Sequence, residues 1–181
     1  KVGQEYFYKK FGVKSEVAVN YDSFGHSIGL VQIMRKCGYK GYITARPNRV
    51  QCPRPSRFFN WIAPDGSSIT VSIASSYNSR LGKATAMIDE YLDWKESNML
   101  GSEEAGGAVK KEDREVDYVL WGVGNHGGGP SRKDLRDIAE YSREGVKLVH
   151  SSPDKLFDDN IEVKGEMRTS LITCMPGCYS S

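Results

Sequence analysis

Several polar residues of the sequence each follow a short apolar run: Asp22, Arg46, Asn125, His126 and His150. The runs are rich in β-branched and aromatic residues, which is typical of buried β-strands. In open and barrel-like α/β folds, ligand sites gather at the carboxyl ends of the strands. A carboxylate, an arginine and a histidine at such an edge could attack, bind or protonate a substrate. We therefore predict that these residues line one cleft.

Asp22 has the most informative surroundings of these residues. We predict a strand over 16–21, a tight turn over 23–25, and a helix over 28–37 that Gly38 ends. A carboxylate between a strand end and a helix start is well placed to meet a ligand. It is equally well placed to cap the helix, and the local pattern leaves both interpretations open.

The remaining elements predict an α/β layer fold with a parallel sheet, because strands and helices alternate. The Pro-Asp-Gly sequence at 64–66 lies between two apolar runs and predicts a β-hairpin. Ser131 is predicted to cap a helix, with Asp134 at its third position. Residues 101–111 are glycine-rich and charged, and we predict a flexible insert there. The predicted strands are 41–45, 58–62, 68–73, 116–123 and 146–149, and the predicted helices are 4–11, 84–95, 131–143 and 152–157.

Length and composition restrict the class of protein. The chain has 181 residues, enough for one ordinary domain, and a net charge of +2. We expect no nucleic-acid partner, because no dense block of Lys and Arg occurs, and no membrane span, because no apolar run is long enough. Four widely spaced cysteines favour a reduced, cytoplasmic setting.

Five blocks of the sequence resemble glycoside hydrolase family 38, the retaining α-mannosidases. Asp22-Ser-Phe-Gly-His26, followed by a helix and by Gly38-Tyr-Lys-Gly-Tyr-Ile-Thr-Ala-Arg46, is similar to the nucleophile segment of that family. The later blocks follow in the family's order, at 63–66, 121–130, 150–154 and 165–180. The resemblance therefore covers nearly the whole chain.

The resemblance implies a fold and an activity. The fold would be part of a seven-stranded (β/α) barrel-like glycosidase domain with parallel strands, and residues 1–181 would be an internal piece of that catalytic domain. The activity would be retaining, zinc-dependent hydrolysis of an oligosaccharide or small α-mannoside by the intact parent, with the fragment alone inactive. Asp22 would be both the nucleophile and a zinc ligand. Phe24 would wall the sugar pocket, and Arg46 would bind the sugar or steady Asp22.

The sequence departs from the family pattern at two places. Asn125 occupies a position where relatives often carry the general acid, and an amide cannot donate a proton as a carboxylic acid does. His126 is adjacent and could titrate near neutrality, or it could be a turn residue bound to backbone. The family's other zinc ligands would lie outside the fragment, and Cys174 is only a weak substitute for an expected histidine. We expect the fragment alone to bind zinc weakly or not at all.

Two other functions remain open at this point. Asn125 and the missing histidine would also suit a non-catalytic, carbohydrate-binding relative of the same fold. A metal-dependent deacetylase of similar architecture is less favoured, because it would need a His-x-x-x-His pair that the chain lacks. The sequence leaves open whether the protein forms homo-oligomers, which sugar linkage it acts on and which group is the general acid.

Overall fold

The computed structural model describes residues 2–47, 51–74, 77–99, 117–124, 129–158, 161 and 163–172. Seven strands lie in these ranges: β1 Val17–Val19, β2 Gly25–His26, β3 Gly41–Thr44, β4 Phe58–Ile62, β5 Ser68–Ile73, β6 Glu166–Met167 and β7 Leu171–Ile172. The helices are α1 Val2–Phe11, α2 Gly29–Lys36, α3 Ala84–Met99, α4 Arg132–Ala139 and α5 Pro153–Asp158. Within those ranges, every helix is too short or too polar to cross a membrane.

A five-stranded, mostly parallel sheet forms the centre of the molecule. Its strand order is β1-β3-β5-β4-β6, and the pairing is parallel except between β4 and β5. Strands β2 and β7 form a separate antiparallel ribbon. The chain is therefore a mixed α/β protein, as the alternation of strand and helix predicted.

Helices cover both faces of the sheet. On one face, Val31 and Met34 of α2 pack with Tyr42, Trp61 and Val71 of the strands. On the opposite face, Leu156 of α5 packs with a second cluster: Val17, Ile43, Phe58 and Ala74. Parallel strands need both faces covered, because their side chains are apolar on both sides. The three layers thus follow from the continuous apolar runs of the strands.

Gly41 allows α5 to approach the sheet closely. A Cβ atom at position 41 would lie 2.7 Å from the ring of Phe157, which is closer than carbon atoms can approach. The absent side chain leaves the space that the aromatic ring fills. A bulkier residue at the start of β3 would push α5 away from the second core cluster.

Most of the predicted elements of the first half of the chain are present. Strands β1 and β3 are parallel neighbours, as the predicted βαβ unit required, and β4 and β5 form the predicted hairpin. Gly38 follows α2 with a φ of +86°, a conformation that favours glycine. Ser131 caps α4 by accepting a hydrogen bond from the backbone N–H of Asp134 at 3.0 Å.

Two predicted strands differ from the structure. Residues 146–149 form no strand, and Val149 is 70% exposed, so this apolar run is not buried within the described residues. Residues 117–123 run alongside 77–79 with a single parallel bridge between Ser79 and Val123. There Arg57 holds Asp117 through its carboxylate and Tyr118 through its backbone carbonyl oxygen.

The ends of the helices also differ from the prediction. Helix α4 ends at Ala139 rather than near Arg143, because Arg143 closes a turn with Val146. Its guanidinium forms salt bridges with three acidic residues of α3: Asp89, Asp93 and Glu96. The predicted flexible insert at 101–111 lies outside the described residues.

Candidate functional site

The candidate site lies at the carboxyl edge of the parallel strands. Asp22 follows β1, Arg46 follows β3, and Tyr77 follows β5. Backbone pairing continues past the strand ends, where Asn20 N–H donates to the carbonyl of Ile43 at 2.9 Å and Ala45 N–H donates to Tyr21 at 3.2 Å. The loops that carry Asp22 and Arg46 are thereby held side by side.

Asp22, Arg46 and Phe24 form one contact group at this edge. The Nε atom of Arg46 is 2.7 Å from Oδ1 of Asp22, and the guanidinium carbon lies 5.4 Å from the centre of the Phe24 ring. The Asp22 and Arg46 side chains are 55% and 40% exposed. An exposed ion pair of this kind contributes only about 0–1 kcal/mol to stability. These three residues were predicted from the sequence to belong to one site, and they lie in contact in the structure.

The helix-capping interpretation of Asp22 does not match the geometry. The residue at the cap position of α2 is Ile28, which makes no side-chain capping bond. Instead, the backbone N–H of Ile28 donates to the hydroxyl of Ser170 at 3.1 Å. Asp22 is directed to Arg46 on the neighbouring loop, and its carboxylate is accessible from solvent.

His26 is a buried part of the same edge. Its Nε2 atom is 2.9 Å from the carbonyl oxygen of Arg46, and its Nδ1 atom is 2.7 Å from the hydroxyl of Tyr42. A carbonyl oxygen only accepts hydrogen bonds, so Nε2 carries the proton and Nδ1 accepts from Tyr42. The Ser23 hydroxyl is 2.8 Å from Nε2, and the Thr44 hydroxyl is 3.2 Å from it.

The pKa values of this pair favour the neutral imidazole. Burial lowers the pKa of His26 below its ordinary value, and the bond to the Arg46 carbonyl only partly opposes that effect. Burial raises the pKa of Tyr42, which keeps the hydroxyl protonated as a donor. The signal in the sequence was the short Ser23-x-x-His26 spacing, but the partners Tyr42 and Thr44 become visible only in the fold.

Two tyrosines extend the edge beyond Asp22. The rings of Tyr21 and Tyr77 are stacked with centroids 5.7 Å apart and planes 8° from parallel. Both side chains are half-buried. Burial, together with the nearby Tyr118, raises the pKa of Tyr21, so its hydroxyl is protonated at neutral pH. Tyr77 is not recognisable as a site residue from the sequence, because nothing local relates it to Tyr21.

A largely buried polar network around Arg57 connects the sheet to the segment that starts at residue 117. The Arg57 guanidinium is 2.8 Å from Asp117 and lies over the ring of Tyr118, with 4.4 Å to its centroid. The Tyr118 hydroxyl is 2.7 Å from that of Ser72 on β5. Burial alone would lower the pKa of Arg57, but the charge of Asp117 and the two neighbouring tyrosines hold it above its ordinary value. Arg57 therefore remains charged and fixes the segment that leads towards residue 125.

Asn125 and His126 lie outside the described residues. The backbone that leads to them starts at the same edge, since the side-chain amide of Asn78 donates to the carbonyl of Gly124 at 3.0 Å. His150 is exposed, and its ring centre is 6.0 Å from that of Trp121. Asp22, Phe24 and Arg46 are thus brought together, and the placement of Asn125 and His126 stays a prediction.

The described residues offer a limited set of metal ligands. Across this part of the chain, no three His, Cys, Asp or Glu side chains lie close enough together to hold a metal ion. Asp22 supplies one accessible carboxylate at the strand ends. Cys174, the weak zinc candidate, lies outside the described ranges.

Comparison with known proteins identifies the relatives of this chain. It is 32% identical to Alpha-mannosidase G of Dictyostelium discoideum over 161 residues, which is 86% of this chain and 13% of that protein. It is 29% identical to Alpha-mannosidase 2C1 of Mus musculus over 160 residues, which is 86% of this chain and 14% of the relative. The chain therefore spans only a small part of the length of these curated relatives.

The fold agrees with these relationships. A crystal structure of an alpha-mannosidase from Enterococcus faecalis V583 matches 91% of this chain and 19% of that chain, with a TM-score of 0.59 and 16% identity. The profile of the glycosyl hydrolases family 38 N-terminal domain matches residues 1–170, nearly the full length. The chain therefore belongs to the glycosyl hydrolase family 38 N-terminal domain family.

Proposed function

We propose that this chain is part of the catalytic domain of a retaining α-mannoside hydrolase. The observation that carries the proposal is the pairing of Asp22 with Arg46 over the Phe24 ring, at the carboxyl edge of the parallel strands. Its relatives bear the name alpha-mannosidase, which supports an α-mannoside as the substrate. An oligosaccharide or a small α-mannoside would enter the cleft at this edge.

Asp22 has the properties that a nucleophile of a retaining glycosidase needs. Its carboxylate is accessible to solvent, and the residue lies just after strand β1 of the sheet. In the proposed reaction, a carboxylate oxygen attacks the anomeric carbon, the glycosidic bond breaks, and the leaving oxygen takes a proton from the general acid. Water then hydrolyses the covalent glycosyl–enzyme and releases the carboxylate. Arg46 fixes the orientation of the carboxylate and offers further guanidinium N–H groups to sugar hydroxyls.

We also propose that the parent protein uses one zinc ion, with Asp22 among its ligands. Carboxylate oxygen is an accepted zinc ligand, so the accessible carboxylate of Asp22 fits this role. The remaining ligands would come from residues outside those described. When bound, the ion would orient the sugar hydroxyls and offset charge near the reacting centre.

The general acid is the open part of this proposal. Asn125 cannot supply a carboxylic proton, so we assign the acid to a residue outside the described ranges, with His126 as one candidate. The same asparagine supports a second function, a carbohydrate-binding relative without catalysis. The two functions differ in whether the metal-loaded parent turns over an α-mannoside.

The wider fold and setting are proposals as well. Strand β1 is an edge strand whose Val19 is 43% exposed, and an apolar parallel edge of this kind is normally covered by further strands. We propose that the sheet continues there into the seven-stranded (β/α) barrel-like domain. The few, widely spaced cysteines support a cytoplasmic location.

Hydrolysis of p-nitrophenyl α-mannoside by the intact parent tests the proposed function. The parent should be active, a chelator should remove the activity, and added zinc should restore it. Asp22→Ala should lower kcat by at least about a thousandfold, because the covalent route is lost. An inactive but folded and metal-loaded parent would support the carbohydrate-binding alternative.

Asp137→Ala is the matched control for Asp22→Ala. Asp137 is also paired with a cation, since its Oδ2 atom is 2.6 Å from Nζ of Lys133, but it lies on α4. This variant should keep the activity of the wild-type parent. If Asp22→Ala were equally active, the assignment of Asp22 would be wrong.

A further inference from the structure

His26 connects the two loops that carry the candidate catalytic pair. It lies four residues after Asp22, and its Nε2 atom donates to the carbonyl of Arg46 at 2.9 Å. The hydroxyl of Ser23, the residue next to Asp22, is 2.8 Å from the same nitrogen. One imidazole therefore contacts the chain immediately beside each member of the pair.

The imidazole is itself held in a fixed orientation. Its side chain is buried at 5% exposure, and Nδ1 accepts from the Tyr42 hydroxyl on the neighbouring strand β3. Thr44 fixes the Arg46 backbone that the ring contacts, since its hydroxyl donates to the carbonyl of Arg46 at 2.7 Å and accepts from the Arg46 N–H at 3.2 Å. The ring thus has a single well-defined position relative to both loops.

The exposed ion pair alone is too weak to fix this geometry. A solvent-exposed salt bridge is weakened by solvent screening and by the entropy lost in holding two side chains. Buried hydrogen bonds are harder to break, because an unpaired buried donor or acceptor carries its full desolvation cost. The buried bonds of His26 are therefore better suited to hold the two loops in register.

We infer that His26 is a positioning residue that sets the distance and orientation between Asp22 and Arg46. This inference rests on the proposed function, in which Asp22 is the nucleophile. A small misplacement of a reacting group can cost about a hundredfold in rate. Loss of the His26 bridge should therefore reduce turnover even in a protein that stays folded and keeps both catalytic side chains.

The test compares three variants of the intact parent. His26→Leu removes both ring bonds, whereas His26→Gln keeps an amide that can donate to the Arg46 carbonyl. Ile138→Ala is the control, because Ile138 is buried in helix α4 and belongs to neither of the two core clusters of the sheet. It should lower the melting temperature through a core cavity without disturbing the bridge.

Two readouts separate positioning from folding. For p-nitrophenyl α-mannoside, His26→Leu should lower kcat by about ten- to a hundredfold with a smaller change in KM, and His26→Gln should recover most of the loss. In hydrogen–deuterium exchange of the parent, His26→Leu should speed exchange in 20–26 and 43–47. Ile138→Ala should leave kcat and the exchange of those two segments unchanged.

The outcomes distinguish this inference from the proposed function. A wild-type parent without hydrolase activity would overturn the proposed function, and exchange alone would then decide whether His26 joins the loops. An active parent with wild-type kcat in His26→Leu would overturn the inference only, as would equal losses in the Leu and Gln variants. If His26→Leu does not fold, Tyr42→Phe replaces it, and unchanged kcat together with unchanged exchange in that variant would overturn the inference.

Discussion

Asp22 and Arg46 are joined by a contact whose value lies in orientation. The Nε–Oδ1 distance is 2.7 Å, yet both side chains are substantially exposed, so the pair adds little to the free energy of unfolding. The planar guanidinium also lies against the Phe24 ring. A lysine could keep the charge but would lose the Nε contact and the planar packing.

Arg46→Lys should therefore separate activity from stability. Loss of the proposed charge-assisted hydrogen bond from the guanidinium to a sugar hydroxyl, of about 1.5–3 kcal/mol, corresponds to a fall in kcat/KM of about ten- to a hundredfold. The melting temperature of the parent should hardly change. Steady-state kinetics and a thermal melt of the same preparation measure the two effects.

Arg168→Lys is the control for this substitution. Arg168 is likewise exposed and paired, with its guanidinium 3.0 Å from Glu166, but it takes no part in the contact group of Asp22, Phe24 and Arg46. It should keep wild-type kinetics. Unchanged kcat/KM in Arg46→Lys would show that the guanidinium geometry at position 46 has no part in the reaction.

At the residue scale, the sequence predicted the members of the pair better than their supports. Asp22 and Arg46 each follow an apolar run, and the end of a strand can be located from such a run in the sequence. His26 was missed as a bridge because its partners at positions 42, 44 and 46 are distant in sequence and meet it only when β3 lies beside the Asp22 loop. Tyr77 was missed for the same reason.

At the scale of elements, Asp134 joins two helices. It is fully buried at the start of α4, where its carboxylate is 3.1 Å from the backbone N–H groups of Gly82 and Ala84 at the start of α3. The hydroxyl of Ser131 donates to the same carboxylate. The Ser131 bond, followed by those from Ala84 and Gly82, holds the pKa of Asp134 below its ordinary value.

Asp134→Ala should loosen both helices together. The substitution removes a cap and leaves two amides without their acceptor, a loss of about 2–4 kcal/mol of local stability. Hydrogen exchange in α3 and α4 of the parent should become faster by a corresponding factor. Asp137→Ala, one turn later, should leave the exchange rates nearly unchanged. Faster exchange confined to α4 in Asp134→Ala would contradict the claim that Asp134 holds α3 and α4 together.

Elements with a strong local signal were predicted, and those that depend on partners were not. The Pro-Asp-Gly turn and the Ser131 cap are encoded within a few residues, and both are present. The run at 146–149 has the composition of a strand, but no described strand pairs with it. The short ribbon of β2 and β7 joins residues 25–26 to 171–172, and no local pattern marks such a distant pairing.

At the scale of the whole molecule, the chain matches only a small part of its relatives. It spans 13–14% of the length of its alpha-mannosidase relatives, and several aromatic side chains of α1 are exposed: Tyr6, Phe7, Tyr8 and Phe11. The family was predicted from sequence blocks that keep their order, and the α/β class from the alternation of strands and helices. The proposed general acid and the remaining zinc ligands could not be assigned, because Asn125 departs from the family pattern and no three His, Cys, Asp or Glu side chains of the described residues lie close enough together to hold a metal ion.

Covalent labelling of the active parent tests the central claim most directly. A fluorinated mannosyl fluoride that forms the glycosyl–enzyme but hydrolyses slowly should trap the nucleophile. Mass spectrometry of the digested protein should then find the label on the peptide that contains Asp22, and excess mannose should slow the labelling. A label on another carboxylate would contradict the assignment of Asp22, and hydrolysis with inversion of the anomeric configuration would contradict the retaining mechanism.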